Sequence, residues 1–153
     1  ETNWSTDTAI GLLYSDDGLT REPFNAPATN EEAFALSDPI LAPTGNDEDW
    51  DRMSVTSPLI FATETGYELF YIGQYRNIGA PVSLFDWSWL GYACSEDGEN
   101  WERYESNPVF DITRENSCPW MGGVRVDDTY YLYYALSAGR FGIGVMVGTV
   151  TPK

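Results

Sequence analysis

At 153 residues the chain is long enough for one core of ordinary size, and 8 Lys plus Arg against 24 Asp plus Glu leave it with a formal net charge of −16. That balance excludes nucleic-acid backbones and anionic membrane surfaces as partners. There is no histidine, which removes Ser-His-Asp and Cys-His catalysis and histidine-ligated metals together.

Aromatic residues make up 15% of the chain, and 14 glycines and 9 prolines punctuate short apolar runs, a composition of many short strands and turns. Two cysteines, Cys94 in an expected strand and Cys118 in an expected turn, are too few for a disulfide scaffold or a four-thiolate zinc site. One disulfide and two idle thiols both remain open. No apolar run approaches the ~20 residues that cross a bilayer. The chain reads as soluble. It begins at Glu1 without a signal peptide, which fits a processed, secreted form or a trimmed piece, and Asn3-Trp4-Ser5 matches a glycosylation sequon.

In chain order, residues 1–9 are polar and irregular. Ile10 to Tyr14 reads as a strand, closed by a Ser15-Asp16-Asp17-Gly18 turn. Within residues 19–36, Asn30 to Leu36 fits one helical turn capped by Asn30. An acidic loop, Asn46 to Arg52, precedes an apolar strand over Val55 to Thr63. Glu64-Thr65-Gly66 then turns the chain into an alternating strand over Tyr67 to Gln74. A loop over 75–89 leads to Leu90–Cys94, the turn Ser95-Glu96-Asp97-Gly98, and a strand over Trp101–Tyr104 that ends at Asn107-Pro108. A polar loop from Asp111 to Pro119 follows, then strands over Trp120–Val126, Tyr130–Leu136 and Phe141–Val150.

The hairpin with the Ser-x-Asp-Gly turn occurs twice, 80 positions apart, and its tail returns as Ser37-Asp38-Pro39-Ile40-Leu41 and Ser106-Asn107-Pro108-Val109-Phe110, with 11 extra residues in the first copy. Leu69-Phe70-Tyr71 matches Leu132-Tyr133-Tyr134 at an offset of 63, and Leu90-Gly91 matches Ile143-Gly144 at 53. With four strands a to d per unit, the chain reads c-d, a-b-c-d, a-b-c. The expected fold is therefore all-β, with β-propeller-like blades of four-stranded antiparallel sheets, two to two and a half in one domain over 1–153. Residues 55–110 form the most complete blade. A sandwich or irregular meander is the alternative.

Asp49-Trp50-Asp51-Arg52, Ser57-Pro58-Leu59-Ile60, Tyr67 to Tyr71, Leu90-Gly91-Tyr92-Ala93, Ser95 to Trp101 and Asn107-Pro108-Val109, in that order, resemble one blade of the five-bladed propeller glycoside hydrolases. That superfamily includes invertases, levan- and arabinan-degrading enzymes and mannoside phosphorylases. The resemblance implies a funnel where the innermost strands begin, and carboxylates on different blades that protonate one side of a glycosidic bond while the other is attacked. It places Asp51 at one catalytic position, with Asp111 or Glu115 as a distant second. The equivalent place in the next unit, Ser117-Cys118-Pro119-Trp120, carries no acid, and no complete catalytic set is visible.

Three readings compete. A carbohydrate-binding module would use Arg52 and the loop aromatics Trp50, Trp87, Trp89 and Trp120, whose faces can stack on sugar rings or plug gaps between blades. A glycoside hydrolase or phosphorylase would act only as an oligomer or within a longer chain, and a structural domain would need no ligand. The count of acids at inner-strand starts favours binding. Asp51, Arg52 and Trp120 are expected on one concave surface. No cofactor is expected; Asp47, Glu48 and Asp49, with Asp51, crowd enough oxygens to hold Ca²⁺, but without EF-hand spacing they suit a solvated loop better. An open arc of blades exposes apolar faces, so a homo-oligomer (a dimer or trimer) or a piece of a larger propeller is expected.

Overall fold

The computed structural model describes residues 8–25, 37–75, 88–112, 117–136 and 142–150, apart from the side chains of 117–120 and 136. Among these residues every regular element is a β-strand. Short strands β1 (Ile10–Gly11), β2 (Leu13–Tyr14), β3 (Glu22–Pro23) and β4 (Pro39–Leu41) form the first unit. The central unit holds β5 (Ser54–Thr63), β6 (Gly66–Gln74), β7 (Ser88–Ser95), β8 (Glu102–Arg103) and β9 (Phe110–Asp111). The third holds β10 (Ser117–Val126), β11 (Thr129–Leu136) and β12 (Gly142–Gly148).

The central sheet runs β5-β6-β7-β8 as an antiparallel meander, with β9 on the same edge of β7 that β8 leaves uncovered. The expected strands over 55–63, 67–74 and 90–94 are present and one to three residues longer. The strand expected over Trp101–Tyr104 shrinks to Glu102–Arg103. Residues expected in loops or turns lie in strands: Ser88 and Trp89 extend β7, Asp111 pairs with Trp89 in β9, and Cys118 pairs with Ala135 in β10. In each case an antiparallel partner satisfies backbone groups that a polar local sequence left unassigned. The helical turn expected over Asn30–Leu36 lies outside the described residues.

The repeat holds in its hydrogen-bond register. Leu13 pairs with Pro23 and Tyr14 with Glu22; 80 positions on, Ala93 pairs with Arg103 and Cys94 with Glu102. Ile10 opposite Leu41 repeats as Leu90 opposite Phe110, so the 11 extra residues do not alter the pairing. Leu69 opposite Ala93 repeats as Leu132 opposite Met146. Both a-strands also break register near a proline, β5 between Thr56 and Leu59 and β10 between Cys118 and Met121, where the ring removes a ladder donor. At the first break Ser57 takes a positive φ of 53°.

The two turns are built alike. Asp17 Oδ1 accepts from the backbone N–H groups of Leu19 at 2.7 Å and Thr20 at 2.6 Å, and Asp97 Oδ1 from those of Glu99 and Asn100, each at 2.8 Å. Gly18 and Gly98 follow with φ of 74° and 81°, a conformation that a side chain disfavours.

Alternation along β6 assigns the two faces of the central sheet. Leu69 and Tyr71, fully buried, pack with Val55 and Ala93 against Ile10 and Leu41 of the first unit. Phe70 and Ile72 point the other way and pack with Leu90 and Ile112 against Tyr130 and Leu132 of the third. The central sheet is thus covered on both faces, as a blade between two neighbours would be. Glu68 ties it to the third unit, accepting from the hydroxyls of Tyr92 (3.0 Å) and Tyr130.

Candidate functional site

Of the residues singled out by the sequence, Trp50, Asp51, Arg52, Trp89 and Asp111 lie near the end of the central sheet where β5 begins. There Ser54 opposes Gln74 and Gln74 opposes Ser88; one step inward, Gly73 opposes Trp89 and Trp89 opposes Asp111. Gln74 donates from Nε2 to Ser88 Oγ at 3.3 Å. The chain enters β5 through Trp50, Asp51 and Arg52. Ser54, Gln74 and Ser88 share one face of this end, and Trp89 and Asp111 share the other.

Asp51 is 1% exposed and turns inward, between the first and central units. Its Oδ2 accepts from Arg103 Nε at 3.0 Å and from the Tyr71 hydroxyl at 3.2 Å. Arg103, on β8, also donates to the Ala42 carbonyl at 2.5 Å, and so fixes the segment that leads from β4 across the sheet. Burial and then the Asp51 charge push the Tyr71 hydroxyl well above its ordinary pKa, which keeps it a donor. This arrangement neutralises a buried carboxylate with a cation and a hydroxyl, and leaves Asp51 facing away from solvent.

Trp50 lies beside it, stacked on Tyr71 with ring centroids 5.7 Å apart and planes 30° from parallel. The indole occupies space made by two glycines: a Cβ on Gly73 or Gly91 would run into the Trp50 ring. Trp50 is therefore a packing residue that closes the gap over β6 and β7.

Arg52 diverges from Asp51 and faces the end of the sheet. Its guanidinium carbon lies 4.2 Å from the centre of the Tyr75 ring, and its Nη1 donates to the Asp47 carbonyl at 2.6 Å and to Asp47 Oδ1 at 3.1 Å. Stacking on an aromatic and a double anchor to one loop residue hold the cation at the β5 entrance. In the acidic loop, Asp49 accepts from the Asn46 amide at 3.0 Å, which lowers its pKa, while Asp47 turns to Arg52 and Glu48 is exposed. Among the described residues no three His, Cys, Asp or Glu side chains converge as metal ligands.

Trp89 and Asp111, both half-buried, sit side by side on β7 and β9 at the same end. Trp87 and Glu115 lie outside the described residues, as does the side chain of Trp120, whose backbone lies in β10. Cys94 is an exposed free thiol whose pKa is raised by burial and by Glu102 and Glu68. Sequence reasoning missed Arg103, Tyr71, Tyr75, Gln74 and Ser88. Arg103 had one available signal: it is among only 8 cations in a chain that buries an Asp.

Alignment with the Beta-1,2-mannobiose phosphorylase of Thermoanaerobacter sp. (strain X514) gives 30% identity over 115 residues, 67% of this chain and 36% of that enzyme. The chain therefore spans little more than a third of the curated relative it matches. No family model and no solved structure matches it.

Proposed function

We propose that the chain is a carbohydrate-binding β-propeller module related to the glycoside-cleaving propellers, taking a mannose-type sugar at the end of the central sheet where β5 begins. The similarity to a mannobiose phosphorylase carries this reading, and Trp89 beside Asp111, with Arg52 stacked on Tyr75 at the same end of the sheet, supports it. Sugar sites combine an aromatic platform for the C–H face of a ring with planar, charged or amide groups for its hydroxyls. Asp51 serves this site as an internal brace, since a carboxylate enclosed by Arg103 and Tyr71 does not face a ligand.

Because the relative is named as an enzyme, a second reading has a specific basis: phosphorolysis by a larger assembly. Phosphate would then be the nucleophile, so one carboxylic acid suffices to protonate the leaving oxygen, and Asp111 is the acid at the proper end.

Isothermal titration of the chain with manno-, arabino- and fructo-oligosaccharides decides between these readings and a ligand-free domain. Binding of manno-oligosaccharides, weakened at least tenfold (about 1.4 kcal/mol) by Trp89→Ala, is the expected result. No heat with any of the three would end the binding proposal. Release of a sugar phosphate from mannobiose and phosphate, lost in Asp111→Asn, would replace it with the enzyme reading.

A further inference from the structure

Each unit has a forward side, toward the next unit in the chain, and a backward side, toward the one before. Where two described units meet, the forward side of one rests on the backward side of the next. At the joint between the first and central units, Ile10 clusters with Ala93, and the Tyr14 hydroxyl donates to Glu99 in the turn after β7. The forward side of the third sheet has no such cover among the described residues. Tyr133, Ile143, Val145 and Val147 are exposed on it, and no charged residue lies among them.

The repeat register identifies both halves of that joint at the two open ends of the chain. Ile143 and Val147 stand in the third unit where Ile10 and Tyr14 stand in the first. They oppose Ala135 and Tyr131 as Leu90 and Cys94, their central counterparts, oppose Ile72 and Glu68. Leu13 stands where Ala93 does, pairing with Pro23 as Ala93 pairs with Arg103. Leu19 stands where Glu99 does, its N–H donating to the Asp17 carboxylate as that of Glu99 donates to Asp97. All four are aliphatic and exposed: Ile143 by 78%, Val147 by 59%, Leu13 by 51% and Leu19 by 87%. The internal joint pairs a hydroxyl with a carboxylate; at the open ends both of those polar groups are replaced together, by Val147 on one side and Leu19 on the other.

We propose that the first unit of a second copy packs head to tail on the third sheet, its Leu13 against Ile143 and its Leu19 against Val147, in the manner of the joint between the first and central units. The contact takes four exposed aliphatic groups out of water. Each chain carries both halves of the joint, so the association is heterologous and closes into a ring or grows, according to the rotation per step. Two like faces brought together would leave Leu13 and Leu19 exposed and would reproduce no joint present within the chain. Repulsion between two chains of charge −16 opposes the contact, and salt screens it.

Sedimentation equilibrium of the whole chain at high salt, at concentrations up to about 1 mM, tests this with the variants Val147→Asp and Leu19→Asp. Both positions are exposed, so the variants keep the monomer fold, which circular dichroism verifies. The expected wild-type mass rises above 17.1 kDa with concentration, and each variant alone stays at 17.1 kDa. An equimolar mixture of the two variants is expected to form a species of two chains and no larger, because one joint is intact and the other is broken on both sides. A wild-type monomer at every concentration overturns the proposal. So does an assembly that Leu19→Asp leaves unchanged, which would put a different partner on the face, or a mixture that stays monomeric, which would mean that the two ends do not meet.

Discussion

Asn107 and Asp38 occupy the same place in successive units, and only Asn107 completes the hydrogen bonds that the place offers. The Asn107 amide accepts from the Tyr92 N–H and donates to the Tyr92 carbonyl, each at 2.9 Å, and so ties the tail of the unit to strand c. Asp38 keeps the equivalent backbone bond, its N–H donating to the Phe24 carbonyl at 2.8 Å as that of Asn107 does to Tyr104 at 3.1 Å. Its side chain is buried, and Oδ2 has no partner. A carboxylate has no proton to give a carbonyl; an amide has.

Replacing Asp38 with Asn therefore raises stability by about 1–2 kcal/mol, the range set by relieving one buried unsatisfied oxygen and adding one ordinary hydrogen bond. The reciprocal Asn107→Asp lowers it by a similar amount. Urea unfolding midpoints measure both. A loss of stability in Asp38→Asn would mean that the two places are not equivalent.

Breaking the Asp51–Arg103 pair from either side is destabilising, because each partner's removal leaves the other's charge uncompensated in the interior. Full burial of both would give about 3–5 kcal/mol, and the 31% exposure of the Arg103 side chain lowers the expectation to about 2–3 for Asp51→Asn or Arg103→Met. A double-mutant cycle isolates the coupling, and additive losses would show that the pair is not acting as one.

The space under Trp50 has no tolerance for a side chain. Gly91→Val drives a branched group into the Trp50 and Tyr71 rings and costs about 1–3 kcal/mol by overpacking, with a change in near-ultraviolet circular dichroism. An unchanged spectrum and midpoint would mean that Trp50 is free to leave its seat.

The strands and their order were legible in the sequence because they depend on local causes: alternation along β5 and β6, and Asp-Gly turns whose carboxylate caps the amides two and three residues on. The register repeat was legible for the same reason. The site was less so. Asp51 stood out, yet what it does is decided by Arg103, 52 positions away, and by a Tyr71 hydroxyl that a strand pattern marks only as core. Trp50 read as a plug or a sugar platform, with the plug favoured, and glycines on β6 and β7 bear out the plug. Asp111 read as loop because a two-residue strand has no periodicity to detect.

The caps set the acid limit of the fold. Asp17 is held down to about 2 by the backbone N–H groups of Thr20 and Leu19, and Asp97 lies lower still through Asn100 and Glu99. Both native values fall below the unfolded value of 3.8, so their stabilisation is present above pH 3.8 and disappears as the pH falls through about 2 for Asp17 and lower still for Asp97. At the alkaline end Tyr130 is pushed up to about 12, first by burial and then by Glu68. Its contribution is present below pH 10 and is lost as the pH rises through 12. Urea midpoints across both ranges should decline accordingly, with the acid slope flattened in Asp17→Asn and Asp97→Asn. An acid slope unaltered by those substitutions would place the titration elsewhere.

The 11 extra residues between strands β3 and β4 separate chain length from fold. The first unit keeps Ile10 opposite Leu41 and Leu13 opposite Pro23, the same ladders that the second unit closes over a shorter span. Loop closure grows only logarithmically with length, about 0.6 kcal/mol per doubling, while each ladder pair is fixed by the strands alone. New sequence can therefore be spliced between Phe24 and Asp38, or at the matching junction between Tyr104 and Asn107, and diversified without rewriting the scaffold that carries it.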